Sequence, residues 1–180
     1  MSVRRAGARA RYVALLRGVS PMNCRMPALK RCFEAAGFTD VKTLLSSGNV
    51  AFDAEPVIVP ELEAAAEAAM EQHLGRRFMT IVRPASFLQG LIARDPFRGF
   101  ALPAGGKRVI TFLRRPHEAA VPQLPVRLGD AAVLGFERTE AFCVYVPEQK
   151  GPVFMTLLER TFGKDITTRT WDTVARCAAA

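Results

Sequence analysis

The order of hydrophobic periods between residues 12 and 82 constrains the fold more than any other feature of the chain. Residues 12–16 are an unbroken apolar run of strand length, closed off by Gly18 and Pro21. A run without polar alternation reads as a strand buried on both faces. Pro27 then suits the first turn of a helix, where its missing N–H is not needed. Leu29, Cys32, Phe33 and Ala36 recur at i, i+3, i+4 and i+7, so they share one apolar face, while Lys30, Arg31 and Glu34 take the other. Gly37 stops that helix. Residues 41–45 read as a second strand, Ser46-Ser47-Gly48-Asn49 as a tight turn, and residues 50–52 as the returning strand of a hairpin. Pro60 opens a second helix over residues 61–74, with Leu62, Ala66, Ala69 and Met70 as its buried stripe. Glu61, Glu63 and Glu67 fall in its first half, where the helix dipole favours carboxylates. Gly75 ends the helix and residues 78–82 supply a fourth strand.

The resulting order, β-α-β-β-α-β, is the split βαβ arrangement of a ferredoxin-like sandwich. Two crossovers of the same hand pack both helices on one face of the sheet. The second half repeats the ingredients without repeating the residues. It offers a short helix at residues 85–93, a loop at 99–106 and a strand at 108–113. A proline-rich connection at 116–125 follows, then strands at 131–136 and 142–146. Pro152 opens a further helix, whose stripe is Phe154, Leu157, Leu158 and Thr161 and whose stop is Gly163. Thr170 is placed to cap a last helix over 171–178 by accepting the N–H of Asp172 or Thr173. The expectation is an α+β fold of two ferredoxin-like (split βαβ) halves packed together. Residues 1–10 are expected as a disordered basic tail, and residues 11–180 as a single domain with subdomains at roughly 11–83 and 84–180.

Composition excludes several classes. At 49% hydrophobic and 23% charged, the chain has the balance of a globular protein. No apolar run approaches the ~20 residues that span a bilayer, so no membrane partner is expected. Cys24, Cys32, Cys143 and Cys177 form no C-x-x-C pair, and His73 and His117 stand far from them in sequence. That spacing argues against a metal site, calls for no cofactor, and fits a reducing cytoplasm. Of the net charge of +8, four charges come from Arg4, Arg5, Arg9 and Arg11, which no acid accompanies. A basic tail of this kind is first a solvated segment that aids solubility, and it can also raise weak, salt-sensitive affinity for nucleic acid or anionic surfaces.

The segments YVALLRGV, MPALKRCFEAAGFTDVKT, SSGNVAF, LLERTFG and TTRTWDTV together resemble a mainly bacterial family, the domain of unknown function 1697 (DUF1697). The resemblance runs from Arg11 almost to the end of the chain. It implies an α+β fold of two ferredoxin-like halves in a stand-alone single-domain protein, and it implies no established activity. Three places depart from the family pattern. Val19-Ser20-Pro21-Met22-Asn23 replaces a loop of the Asn-Val-Gly-Gly type, Gly151-Pro152 replaces Ser-Lys, and Thr170-Trp171-Asp172 replaces Asn-Trp-Asn.

Five residues are candidates for ligand contact. Arg17 follows a buried strand directly, where a guanidinium can grip a carboxylate or phosphate in bidentate fashion or tie the strand end to an internal acid. Ser47 and Asn49 belong to a turn whose N–H groups can face an anion, although a hairpin turn selects the same residue types for its own geometry. Arg169 and Asp172 flank the only tryptophan, which is itself expected to anchor the core. Ser47 lacks the G-x-S-x-G context of a nucleophile, and Gly105-Gly106-Lys107 lacks the flanks of a Walker loop. The favoured expectation is a module binding an anionic ligand, nucleic acid among the choices. The alternatives are an assembly role through a strand edge or the 116–125 connection, giving a homo-oligomer, and an enzyme on a small anionic substrate with Asp172 as general base.

Overall fold

In the computed structural model, which describes residues 8–118, 123–147 and 153–180, the apolar run of residues 12–16 lies inside a four-stranded antiparallel sheet. The elements of the first half are β1 (Ala10–Leu16), α1 (Met26–Ala35), β2 (Thr39–Leu44), β3 (Asn49–Ala54), α2 (Val59–Leu74) and β4 (Thr80–Pro84). Their sheet order is β2-β3-β1-β4. β1 begins at Ala10, ahead of the apolar run, because Ala10 and Arg11 pair with Ala54 and Asp53. Arg4 and Arg5 of the basic segment lie outside the described residues. Arg9 donates to Thr39 Oγ1 at 2.6 Å, and Arg11 forms ion pairs with Asp40 at 3.1 Å and Asp53 at 3.0 Å.

Alternation along β1 sends Tyr12, Ala14 and Leu16 to one face, where they meet Leu29, Cys32 and Phe33 of α1 and Leu62, Ala66 and Met70 of α2. Phe52 stacks on Phe38 with centroids 4.3 Å apart and meets Phe33 edge-on at 5.5 Å. The opposite face carries Val13, Leu15, Ala51 and Ile81, each at most 1% exposed. Both faces of β1 are therefore buried, and this is why its sequence shows no polar alternation.

The edges of this sheet are managed differently. On β2 a register shift falls between Thr39 and Lys42, Asp40 takes φ 44°, and Asp40 and Lys42 present charges. Bulges and charges of this kind discourage further strand pairing. On β4 the N–H groups of Thr80 and Val82 donate to the carboxylates of Glu67 and Glu63 at 2.9 and 3.1 Å. Four residues of helix rise about 6 Å and two residues of strand about 6.8 Å, so glutamates one turn apart match alternate strand N–H groups. Glu63 and Glu67 are 0% and 5% exposed. They do more than answer the helix dipole, because they stand where a fifth strand would supply acceptors.

The second half comprises α3 (Ala85–Arg94), β5 (Lys107–Leu113), β6 (Val126–Leu128), β7 (Ala131–Glu137), β8 (Glu140–Tyr145), α4 (Val153–Phe162), β9 (Ile166–Thr170) and α5 (Trp171–Ala178). Its sheet order is β6-β7-β8-β5-β9. With β6 set aside, β7-β8-β5-β9 repeats by rank the order of the first sheet. β6 and β9 were not expected. Residues 166–170 read as a polar run, but three of them are threonine, whose branched side chain suits a strand, and all five pair with β5 from Val109 to Leu113. Leu157, Leu158 and Phe162 of α4 cover Val109, Leu113, Val133 and Cys143. Residues 119–122 of the proline-rich connection, and Gly151-Pro152, lie outside the described residues.

The chain is thus α+β, with two antiparallel sheets and, among the described residues, five helices. It divides into two compact units, one ending at Gln89 and taking back Cys177–Ala180, the other Gly90–Arg176. Among the described residues no helix is long and apolar enough to cross a membrane.

Candidate functional site

Arg17, Ser47 and Asn49 belong to the first unit, and Arg169 and Asp172 to the second. In the first, the end of β1 is tied on both sides. Leu16 N–H donates to Gly48 O at 2.8 Å and Arg17 N–H to Met79 O at 2.9 Å. Gly48 has φ +78°, and a Cβ there would stand 2.8 Å from Val19 Cβ and 3.0 Å from Leu16 Cβ. The turn therefore needs glycine for both conformation and space. Asn49 is 0% exposed, and its amide donates to Leu44 O at 3.0 Å and to Ser47 Oγ at 3.1 Å. This makes Asn49 part of the hairpin's fabric, with its side chain closed to solvent. Ser47 is exposed and Arg17 half-buried.

The loop after β1 has its own organiser. Asn23 donates from Nδ2 to Gly18 O at 2.8 Å, and its Oδ1 accepts Ser20 N–H at 2.9 Å. An asparagine side chain thus bends this loop. Met22 at the tip is 94% exposed.

In the second unit Arg169 is 8% exposed, and its Nη1 donates to Thr167 Oγ1 at 2.8 Å and Thr168 O at 2.7 Å. These bonds hold the guanidinium against its own strand. Asp172 lies in the first turn of α5, which Thr170 caps by accepting Thr173 N–H at 3.3 Å. Asp172 also lines an open cleft of about 320 Å³, together with Gly106, Lys107, Arg108, Tyr145, Thr170 and Trp171.

That cleft sits at the end of the sheet where β5 starts and where β8 and β9 finish. Lys107 and Arg108 are the first two residues of β5, and both line the cleft. Arg108 is held in place. Its guanidinium carbon lies 5.5 Å from the centroid of Trp171 and 5.7 Å from that of Phe97, and Nη1 is 3.8 Å from Asp95 Oδ2. Phe97 meets Trp171 edge-on at 5.4 Å. Tyr145, opposite Lys107 in the ladder, stacks on Phe154 at 4.7 Å. The arrangement can hold an anion between two cations at a helix N-terminus, with one carboxylate beside it.

Sequence reasoning missed Lys107, which it saw only as the end of a failed phosphate-loop motif, and Arg108, which it saw only as the start of a strand. The usable signal was two adjacent cations opening an otherwise apolar strand after a glycine pair. Cys24, Cys32 and Cys143 offer no activated nucleophile. Burial raises Cys24, against the opposing charge of Arg76. Burial also raises Cys32, with a smaller contribution from Cys24. Cys143 is pushed up to about 12 by burial, which outweighs its contact with Thr111. His117 is packed edge-on against Phe136 and Phe162 at 6.0 and 5.4 Å. Among the described residues no group of three or more His, Cys, Asp or Glu is arranged to hold a metal.

The family model for a protein of unknown function, DUF1697, matches residues 9–139. The chain belongs to that family. Within this DUF1697 chain the match includes Lys107 and Arg108 and stops before Tyr145, Trp171 and Asp172. A conserved bacterial protein from Streptococcus pneumoniae has a similar fold, with a TM-score of 0.68. Its sequence is 19% identical, and the alignment covers 96% of this chain and 98% of that one. No curated protein matches the chain.

Proposed function

We propose that this DUF1697 protein is a cytoplasmic binding module for a small anionic ligand, held in the cleft at the end of the second sheet. The observation that carries the proposal is that Lys107 and Arg108 both line one open cleft at the start of α5. Arg108 is stacked against Trp171 and Phe97 and paired with Asp95, so it loses little rotamer freedom on binding. Asp95 offsets part of its charge, leaving Lys107 as the cation with more to give an incoming anion. Four buried free cysteines fit the reducing compartment. The catalytic alternative would use Asp172, the carboxylate of the same cleft.

The fold behind the site is read as two split βαβ cores within one domain. The order β2-β3-β1-β4 supports this for the first unit, and β7-β8-β5-β9 supports it for the second, with β6 as an added edge strand. The assembly alternative is weaker, because both edges of the first sheet carry features that discourage strand addition.

The test is a titration with inorganic phosphate at low and moderate salt, followed by the fluorescence of Trp171, the only tryptophan. The proposal expects saturable binding that weakens with salt and disappears in Lys107→Gln/Arg108→Gln. Binding that the double substitution leaves intact would remove the cleft from the account.

A further inference from the structure

The cleft also constrains what is attached to the anionic group. Building on the anion-binding proposal, we infer that it takes a phosphorylated sugar or polyol: one phosphate monoester carried by a hydroxylated carbon chain. Three observations favour this over a nucleobase-bearing ligand or a nucleic-acid strand.

The aromatic surfaces are already engaged. Trp171 is 9% exposed, with Arg108 over its ring and Phe97 against it. Tyr145 gives one face to Phe154, the two rings lying 20° apart. Strand binding draws about 1–3 kcal/mol per base from open aromatic faces, and Trp171 has none to offer.

The polar groups are of two kinds. Lys107 and Arg108 both line the cleft and can share one phosphate there. Asp172 places a carboxylate in the same cleft. A carboxylate accepts hydrogen bonds from hydroxyl groups and repels a second phosphate. One anionic head followed by hydroxyls therefore matches the lining, and a polyanionic strand does not.

Size agrees. About 320 Å³ is at the small end of the roughly 300–1,000 Å³ found for sites that enclose one small molecule.

The experiment compares ribose 5-phosphate, ribose, inorganic phosphate, AMP and a short single-stranded oligonucleotide. Trp171 fluorescence is the readout, with calorimetry alongside so that an optically silent event is still seen. Ribose 5-phosphate is expected to bind about tenfold tighter than inorganic phosphate, a difference near 1.4 kcal/mol, AMP no tighter than ribose 5-phosphate, and ribose alone not at all. Asp172→Asn should erase most of that tenfold advantage while leaving inorganic phosphate bound at least as well. Lys107→Gln/Arg108→Gln should abolish binding of every anion. If AMP or the oligonucleotide binds tighter than ribose 5-phosphate, or inorganic phosphate binds as tightly, the sugar-phosphate inference falls and anion binding stands. If all five probes fail by both methods, the two fall together.

Discussion

Replacing Glu67 tests whether a side chain can take over the work of a missing strand. The carboxylate accepts the N–H of Thr80 at 2.9 Å, and both residues are almost wholly buried. In Glu67→Ala that N–H loses its partner without gaining water, at about 1–3 kcal/mol. Loss of a methylene adds about 0.8 kcal/mol, and relief from burying a carboxylate subtracts. The net expectation is about 2 kcal/mol of destabilisation, or about 1 M in urea midpoint for an m-value near 2 kcal/mol/M. Glu67→Gln keeps an acceptor and gives up charge assistance, so it should cost about 1 kcal/mol. Glu67→Leu keeps the bulk and leaves the N–H orphaned, so it should cost more than Gln. The assay is urea unfolding followed by far-ultraviolet circular dichroism, which follows the helices and strands of both units. A Leu variant as stable as the Gln variant would refute the reasoning, since desolvation of the carboxylate would then outweigh the strand hydrogen bond.

Gly48→Ala should cost about 3 kcal/mol, combining a left-handed backbone penalty of about 1–2 kcal/mol with contacts of 2.8–3.0 Å to Val19 and Leu16, measured by the same unfolding assay. Asn49→Ala removes the bonds to Leu44 O and Ser47 Oγ and should cost about 1–3 kcal/mol; an unchanged midpoint would mean that the turn does not need its side chain. Cys143 has its pKa raised from the usual 9.0 to about 12, so its contribution to stability is complete below pH 9 and is lost as pH climbs toward 12. One pH unit above 9.0 the loss is about 1.4 kcal/mol, and Cys143→Ala, which lacks that loss, should close the stability gap to wild type between about pH 8 and 10. The same burial predicts that Cys143 resists a thiol reagent in the folded protein and reacts on unfolding.

The hairpin shows how far local chemistry is legible. Gly48 announced a turn because few residues tolerate its conformation, and the turn is where it was expected. The role of Asn49 was not legible, because whether an amide faces a ligand or its own turn depends on what covers it. Lys107 and Arg108 were missed for a related reason. Two adjacent cations look like a solvated strand end until β8, β9 and α5 close around them. β9 was missed because its threonine-rich residues carry no apolar period, and only pairing with β5 identifies it.

The sequence by itself determined the order of elements in the first unit, the faces of α1 and α2, and the stops at Gly37 and Gly75. Those features follow from backbone preference and from periods of 2 and 3.6, which neighbouring residues express together. Tertiary structure alone decided that Glu63 and Glu67 seal the β4 edge, that Arg169 turns onto its own strand, and that Asp172 shares a cleft with Lys107 and Arg108. A charged side chain has no fixed destination in a local pattern. Its partner is set by which groups the fold has removed from water nearby, and the chain must be assembled before that is known.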